Sequence, residues 1–210
     1  MITHKLTNKT ILFVLLAVLI SMDISFAQTV EQYVAQGRAK FERGDYQGSI
    51  LDFNQAIKLN PNDANLYAGR GFPKGILKNY AGAIQDFNKA IELDPNNAVY
   101  YTFRANAKLA LRDGEGAIVD YNQAIKLNPN DALLYVFRAN AKGAIGDNEG
   151  ALKDFNKAIG IDPNNVAAYA GRGIAQISLG QNKAGCKDIT KAGTMGFAGA
   201  AMLKKEHCSK

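Results

Sequence analysis

The chain has 210 residues, of which 47% are hydrophobic and 21% are charged, a composition typical of soluble folded proteins and not of disordered or collagen-like chains. Its 25 lysines and arginines against 19 aspartates and glutamates give a formal net charge of +6, which is mildly basic and far from a polycation. Two histidines and two cysteines are too few for a zinc module and exclude a disulfide-dense scaffold.

Residues 1–27 have the features of a secretory signal peptide. Lysines near the start precede a uniformly apolar stretch at residues 11–20, and the segment ends in Ser-Phe-Ala at residues 25–27, with small residues where a signal peptidase cleaves. An uncleaved membrane anchor is the alternative, but a spanning helix needs about 20 apolar residues and Asp23 interrupts this one. We therefore expect cleavage before Gln28, a periplasmic or secreted protein, and no stable membrane insertion after cleavage.

From Val30 onward the chain repeats itself every 34 residues. Within each unit apolar residues recur at spacings of three and four, which indicates amphipathic helices, and no stretch alternates with a period of two for long enough to predict a strand. A short polar residue precedes each first helix as an N-cap, and a proline after each second helix ends it. The recurring residues are Tyr33, Tyr67, Tyr101, Tyr135 and Tyr169; Asp52, Asp86, Asp120, Asp154 and Asp188; Ala56, Ala90, Ala124, Ala158 and Ala192; Pro61, Pro95, Pro129 and Pro163; and the caps Asp63, Asn97, Asp131 and Asn165.

This pattern resembles the tetratricopeptide repeat, and the likeness covers residues 30 to about 195. Besides the positions above, it includes small residues in the first helix, a Gly-Asp-Tyr turn at residues 44–46 and an aromatic residue in the second helix. The resemblance implies an all-α fold, a right-handed superhelical solenoid of antiparallel helix pairs with a concave groove. The small residues are Gly37, Gly71, Ala105, Ala139 and Gly173, and the aromatic residues are Phe53, Phe87, Tyr121 and Phe155.

The resemblance also divides the chain. A signal peptide at residues 1–27 precedes a repeat domain at residues 28–195, with units at about 30–63, 64–97, 98–131, 132–165 and 166–195. Residues 196–210 form a C-terminal cap helix and tail. The end of a solenoid needs a cap with a polar outer face, and we expect the open end to be covered by Phe197, Ala200, Ala201 and Leu203.

No set of residues predicts catalysis, a cofactor or a metal. After the signal peptide the only histidine is His207, close to the C-terminus, so a Ser-His-Asp or Cys-His arrangement is not expected. The glycine-rich stretch at residues 69–75 lacks the strand and spacing of a phosphate loop and indicates small helix-packing positions. The Asn/Asp clusters at the proline turns lack the length and bidentate glutamate of a calcium loop, and capping explains them.

Charged residues also recur along the units. The favoured interpretation is a structural network of ion pairs between neighbouring units; the alternative is a basic stripe that binds anionic envelope polymers or lipid headgroups. Nucleic acid is not an expected partner of an exported protein with a solvated charged face. The first helices carry Arg70, Arg104, Arg138 and Arg172 with Lys74, Lys108 and Lys142, and the second helices carry Asp86, Asp120, Asp154 and Asp188.

The resemblance places the groove at the second, fifth, ninth, twelfth and thirteenth residues of each unit. In the first unit these include Glu31, Arg38 and Glu42, but after it none is charged, so the lysine and asparagine pattern that clamps a C-terminal carboxylate in some relatives is absent. We expect a protein or peptide ligand, with amides holding its backbone and apolar residues its side chains. The alternative is that small residues merely narrow the superhelix. The candidate groove residues are Phe72, Thr102, Asn106, Leu109, Leu133, Asn140 and Ile174.

Pro73 lies inside the first helix of the second unit, where a proline removes one backbone hydrogen bond. Either it kinks the helix and opens the groove, or it is a tolerated local defect.

Cys186 and Cys208 are expected to form a disulfide, because export allows disulfides to persist and the bond would hold the C-terminal cap at an end that tends to fray. The alternative is one buried thiol and one free thiol on the tail.

Overall fold

The computed structural model describes residues 29–208, which form eleven α-helices and no strand. Residues 1–28, with the predicted signal peptide, and residues 209–210 lie outside the described part. The helices are α1 (29–42), α2 (Tyr46–Leu59), α3 (Ala64–Ile76), α4 (Tyr80–Leu93), α5 (Ala98–Ala110), α6 (Gly114–Leu127), α7 (Ala132–Ala144), α8 (Asn148–Ile161), α9 (Val166–Ser178), α10 (Asn182–Thr194) and α11 (Ala200–His207).

The helices pack in the order in which they follow each other in the chain. From α2 to α11, each helix contacts the next one, and the first helices of neighbouring units also meet, α3 with α5 and α7 with α9. One helix pair cannot bury both of its faces, so stacking against the next pair supplies the missing cover. The predicted fold class, an all-helical solenoid of helix pairs, is confirmed.

Aromatic residues of the second helices fill the core between units. The Phe53 ring lies against Gly37 of its own unit and Gly69 of the next, and a Cβ atom at Gly69 would collide with this ring. A Cβ at Gly71 would lie 3.0 Å from the Phe87 ring. The interpretation of the glycine-rich stretch as small packing positions is therefore confirmed for these two residues. It does not hold for Gly75, where a Cβ would meet nothing within 4 Å.

Short polar side chains cap the helices as predicted. Asp63 accepts a hydrogen bond from the backbone N–H of Asn65 at 2.8 Å, and Asn97, Asp131 and Asn165 cap later units in the same way. The repeated tyrosine ties three of the proline turns to the following helix: the hydroxyl of Tyr101 donates to the carbonyl of Pro95 at 3.1 Å, and Tyr67 and Tyr135 donate to Pro61 and Pro129 in the same way. Capping therefore accounts for the Asn/Asp clusters, and the described residues contain no cluster that could hold a metal ion.

The last helix, α11, packs on α10 at the C-terminal end of the solenoid. Ala200 is buried, and Phe197 packs against a cluster that contains Tyr169, Ala170 and Ala192. Ala201, expected on the covering face, is exposed instead. A disulfide joins Cys186 in α10 to Cys208 at the end of α11, with the two Cα atoms 5.7 Å apart.

Candidate peptide-binding groove

The repeated arginines are engaged inside the protein. Arg104 donates from Nε and Nη2 to both carboxylate oxygens of Asp120, at 2.9 and 2.5 Å, and from Nη1 to Asn88 Oδ1 at 2.7 Å. The predicted pairing of arginine with an aspartate of the neighbouring unit is wrong: the acid lies in the same unit, because the two helices of one hairpin face each other, and the asparagine provides the contact to the preceding unit. The four sets are Arg70, Asp86 and Asn54; Arg104, Asp120 and Asn88; Arg138, Asp154 and Asn122; and Arg172, Asp188 and Asn156.

The lysines of the predicted basic stripe join the same network. Lys108 lies 2.8 Å from Asp120, and Lys74 and Lys142 pair with the corresponding aspartates. Each arginine guanidinium also lies over the tyrosine ring of its own unit, at 5.6 Å in the case of Arg104 and Tyr101. Hydrogen bonding to Asp154 raises the pKa of Arg138 above its ordinary value. These side chains are only 18–21% exposed, so they offer an anionic ligand little accessible surface.

Two connected clefts lie on the concave side of the first three units. The first, of about 830 Å³, is lined by residues of α1, α3 and the start of α5, among them Val34, Asn65 and Tyr100. The second, of about 560 Å³, is lined by residues of α3, α4 and α5. Phe41 and Phe72 line both clefts, so the two form one continuous groove.

The structure brings some of the predicted groove residues together at these clefts and spreads others further along. Phe72 lines both clefts and Asn106 lines the second. In later units Leu133 and Ile174 are 49% and 46% exposed, and Asn140 is also exposed. Leu109 is half-buried and packs against the cluster of Ala105, Ala117, Tyr121 and Ala141.

Thr102 is not available to a ligand. Its side chain is buried, and its hydroxyl donates to the carbonyl of Ala98 in the preceding turn at 2.8 Å. Its fifth position in the unit therefore holds a packing residue here, which corrects its assignment to the groove surface.

The two groove asparagines differ. The Tyr121 hydroxyl donates to Asn106 Oδ1 at 2.6 Å, which leaves the Asn106 amide group free to donate. Burial raises the pKa of Tyr121 well above its ordinary value, so this hydroxyl remains a donor. In the next unit the aromatic residue is Phe155, which has no hydroxyl, and within residues 29–208 the Asn140 amide has no hydrogen bond. Asn106 is held in place, whereas Asn140 offers both its donor and its acceptor.

Sequence reasoning missed the contribution of Phe103. Its ring is 38% exposed and its centroid lies 4.4 Å from that of Phe72 in an edge-to-face contact. A signal was present, because the sixth position of the unit is glycine at Gly69 and Gly171 but phenylalanine at Phe103 and Phe137. This change extends the aromatic wall of the groove.

Comparisons with known families give the same repeats. A family model described as the tetratricopeptide repeat matches residues 74–97 and 98–131, and a second, described as the TPR repeat, matches residues 37–72 and 139–180. The chain is a tetratricopeptide repeat protein. No curated protein matches it.

Solved structures share the fold of this tetratricopeptide repeat protein. A MamA protein is 24% identical, with a TM-score of 0.72 over 86% of this chain and 96% of its own. A MamA fragment from Desulfovibrio magneticus RS-1 is 18% identical, with a TM-score of 0.75 over 80% of this chain and 94% of its own. YrrB, described as a TPR protein with an unusual peptide-binding site, is 18% identical, with a TM-score of 0.71 over 86% of this chain and 97% of its own. At these identities the likeness establishes the fold.

Across residues 29–208, no helix is both long and apolar enough to cross a membrane.

Proposed function

We propose that this protein is a noncatalytic adaptor that binds a protein or peptide in its concave groove. The observation that carries this proposal is the continuous groove across the first three units, lined by the rings of Phe41, Phe72 and Phe103. Exposed apolar side chains continue beyond it at Leu133 and Ile174. A contiguous exposed apolar surface of this kind is characteristic of interaction sites, and a groove between helices accepts a helix or an extended segment.

The alternative, an adaptor for anionic polymers or lipid headgroups, has less support. It depends on the repeated arginines and lysines, and each of these already pairs with a largely buried aspartate. A ligand would have to compete with charge-assisted hydrogen bonds that are both bidentate and partly desolvated. Groove binding rests mainly on apolar contacts and should weaken only a few-fold in salt, whereas binding to the stripe should weaken steeply as its charges are screened.

Site-specific photo-crosslinking tests the groove. A photoreactive residue replaces Val99, which is 46% exposed and lines the first cleft on α5, or Val119, which is 64% exposed on the second helix α6 and serves as the matched control. In cells that express the full chain, we expect a discrete crosslinked partner from position 99 and none from position 119, because only the former lies on the proposed contact surface. Equal crosslinking at both positions, or none at position 99, would reject the groove as the site.

We further propose that the groove functions outside the cytoplasm, in the periplasm or as a secreted protein. The apolar stretch at residues 11–20 and the small residues before Gln28 support this location. N-terminal sequencing of the protein purified from cells that express the full chain is the test. We expect the sequence to start at Gln28, and a start at Met1 or Ile2 would contradict export by cleavage.

A further inference from the structure

We propose that the N-terminal end of the groove is specific for a basic peptide that carries one bulky apolar anchor residue. The anchor enters the apolar pocket beside Gly75, and the cations of the peptide meet the carboxylates of α1. This inference rests on the proposed function and adds the chemical class of the ligand.

The anchor pocket is open at Gly75, where a Cβ would meet nothing within 4 Å. The twelfth residue of the unit is Phe41, Leu109 or Ile177 in three of the units, so a large side chain is common at this position. The resulting pocket of about 560 Å³ has a wall formed by Phe41, Phe72, Phe87 and Phe103. A concave apolar space of this size, lined by aromatic rings, suits a large apolar side chain and excludes a charged one.

One polar group orients a ligand at this pocket. Asn106 lines the pocket, and because its Oδ1 atom accepts from Tyr121, its amide nitrogen is the part that remains to donate. A donor beside an apolar pocket matches a peptide whose carbonyl group lies next to the anchor residue. The pocket therefore binds a side chain together with the backbone that carries it.

The adjoining cleft is acidic although the chain as a whole has a formal net charge of +6. Glu31, Glu42 and Asp63 line it, and Arg38 is its one basic residue. Glu31 and Glu42 are exposed and form no salt bridge within residues 29–208, whereas the repeated aspartates of all five units are paired. Carboxylates left unpaired in a binding cleft favour a ligand of opposite charge.

The spacing of these groups defines the ligand further. Glu42 directly follows Phe41, which lines the anchor pocket, so a cation next to the anchor would meet this carboxylate. Glu31 lies eleven residues earlier on the same helix, about 16 Å away at 1.5 Å per residue. An extended peptide covers that distance in about five residues. The structure therefore favours an anchor with one basic residue beside it and another about five residues away.

Selection from a phage-displayed library of random peptides is the test, with the protein purified from cells that express the full chain. We expect the enriched peptides to share one aromatic or large aliphatic residue and an excess of lysine and arginine. The affinity of one enriched synthetic peptide is then measured by fluorescence anisotropy for the wild type and for three variants. The variants are Gly75→Leu, Gly160→Leu, and Glu31→Gln combined with Glu42→Gln.

Gly75→Leu places in the pocket the side chain that Leu109 already carries one unit later, at a position where a Cβ meets nothing within 4 Å. We expect it to weaken binding about tenfold or more, the effect of losing a buried anchor. Gly160 lies on the second helix α8, outside the groove positions, and a Cβ there also meets nothing within 4 Å, so Gly160→Leu is the matched control and should leave the affinity unchanged. The double glutamine variant should weaken binding roughly threefold at low salt and reduce its salt dependence.

The outcomes separate this inference from the proposed function. Enriched peptides that are acidic or lack an anchor, but lose affinity when Phe72, Asn106 and Asn140 are changed to alanine, would overturn the inference and leave the groove as the site. Equal effects of the two glycine substitutions would overturn the anchor pocket. Failure to enrich any peptide whose binding depends on a groove residue would overturn both. If circular dichroism shows that Gly75→Leu does not fold, two other measurements decide the question. They are the affinity of the double glutamine variant and the affinity of the wild type at low and at high salt. An affinity that changes in neither measurement would overturn the inference.

Discussion

At the level of single residues, the 34-residue period repeats a set of polar contacts as well as the packing of the core. Each repeated arginine has one acid, one amide and one aromatic ring as partners, and all three recur with it, as in Arg138 with Asp154, Asn122 and Tyr135. The planar guanidinium has donors in fixed directions, so it can bond two oxygens of one group and a third oxygen elsewhere. A lysine would keep the charge and lose this geometry.

The same network shows how far single residues could be predicted from sequence. The arginine and aspartate ladders were visible because opposite charges recur, but their pairing within a unit depends on how the two helices of one hairpin face each other. Four asparagines recur with the same period, but they are uncharged and therefore were not predicted as partners of the arginines. They are Asn54, Asn88, Asn122 and Asn156. In the groove, the amide of Asn106 could be predicted as a candidate, but its contact with Tyr121 could not, because the two residues meet only after the helices pack.

At the level of elements, the turn inside each helix pair has one demanding backbone position. Gly44, Gly146 and Gly180 adopt positive φ angles of 81°, 88° and 77° there, and glycine accepts this conformation without steric cost. Lys78 and Arg112 adopt it in the second and third units, at φ angles of 61° and 64°. These turns keep the helix pair geometry in spite of the less suitable residue, so the packing of the two helices outweighs the local cost.

Pro73, like Lys78 and Arg112, is poorly suited to its position in the helix pair, and replacing it with alanine should stabilise the protein slightly. The proline interrupts the hydrogen bonds of α3, at a cost of about 3 kcal/mol in a regular helix. Its ring is buried, however, so the alanine variant loses about 1.6 kcal/mol for two methylene groups, and it also loses up to about 1 kcal/mol through a more flexible unfolded state. The remaining gain of under about 1 kcal/mol corresponds to a rise of at most roughly 2–4 °C in the melting temperature, measured by calorimetry.

Pro61→Ala is the control for this measurement. Pro61 lies in an exposed turn, outside any helix, so the substitution affects mainly the unfolded state and should lower the melting temperature or leave it unchanged. A melting temperature of Pro73→Ala at or below that of the wild type would mean that α3 is already adapted to the proline and that the strain argument is wrong.

For the whole molecule, the repeats made the architecture predictable from the sequence. The ends of the solenoid and the candidate site were less predictable, because they do not repeat. Four units share the same tyrosine, aspartate, alanine and proline positions, and each additional copy supports the same helix pair. The proposed function depends on the departures from the repeat: Gly75 in place of a large residue, Phe103 in place of glycine, and the carboxylates of Glu31 and Glu42 that are unpaired within residues 29–208. A periodic pattern predicts what all units share, and a binding site consists of what one or two units do differently.

The C-terminal end of the molecule leads to the last prediction, that Cys186 and Cys208 form a disulfide in the purified protein. The bond closes a loop of 22 residues and holds α11 on α10. In the chain-entropy description such a loop contributes about 3 kcal/mol, so its loss in Cys208→Ser should lower the melting temperature by roughly 6–12 °C. Thiol counting on the denatured, unreduced monomer should find no free thiol, and the same sample after reduction should find both. Two free thiols without reduction would contradict the bond.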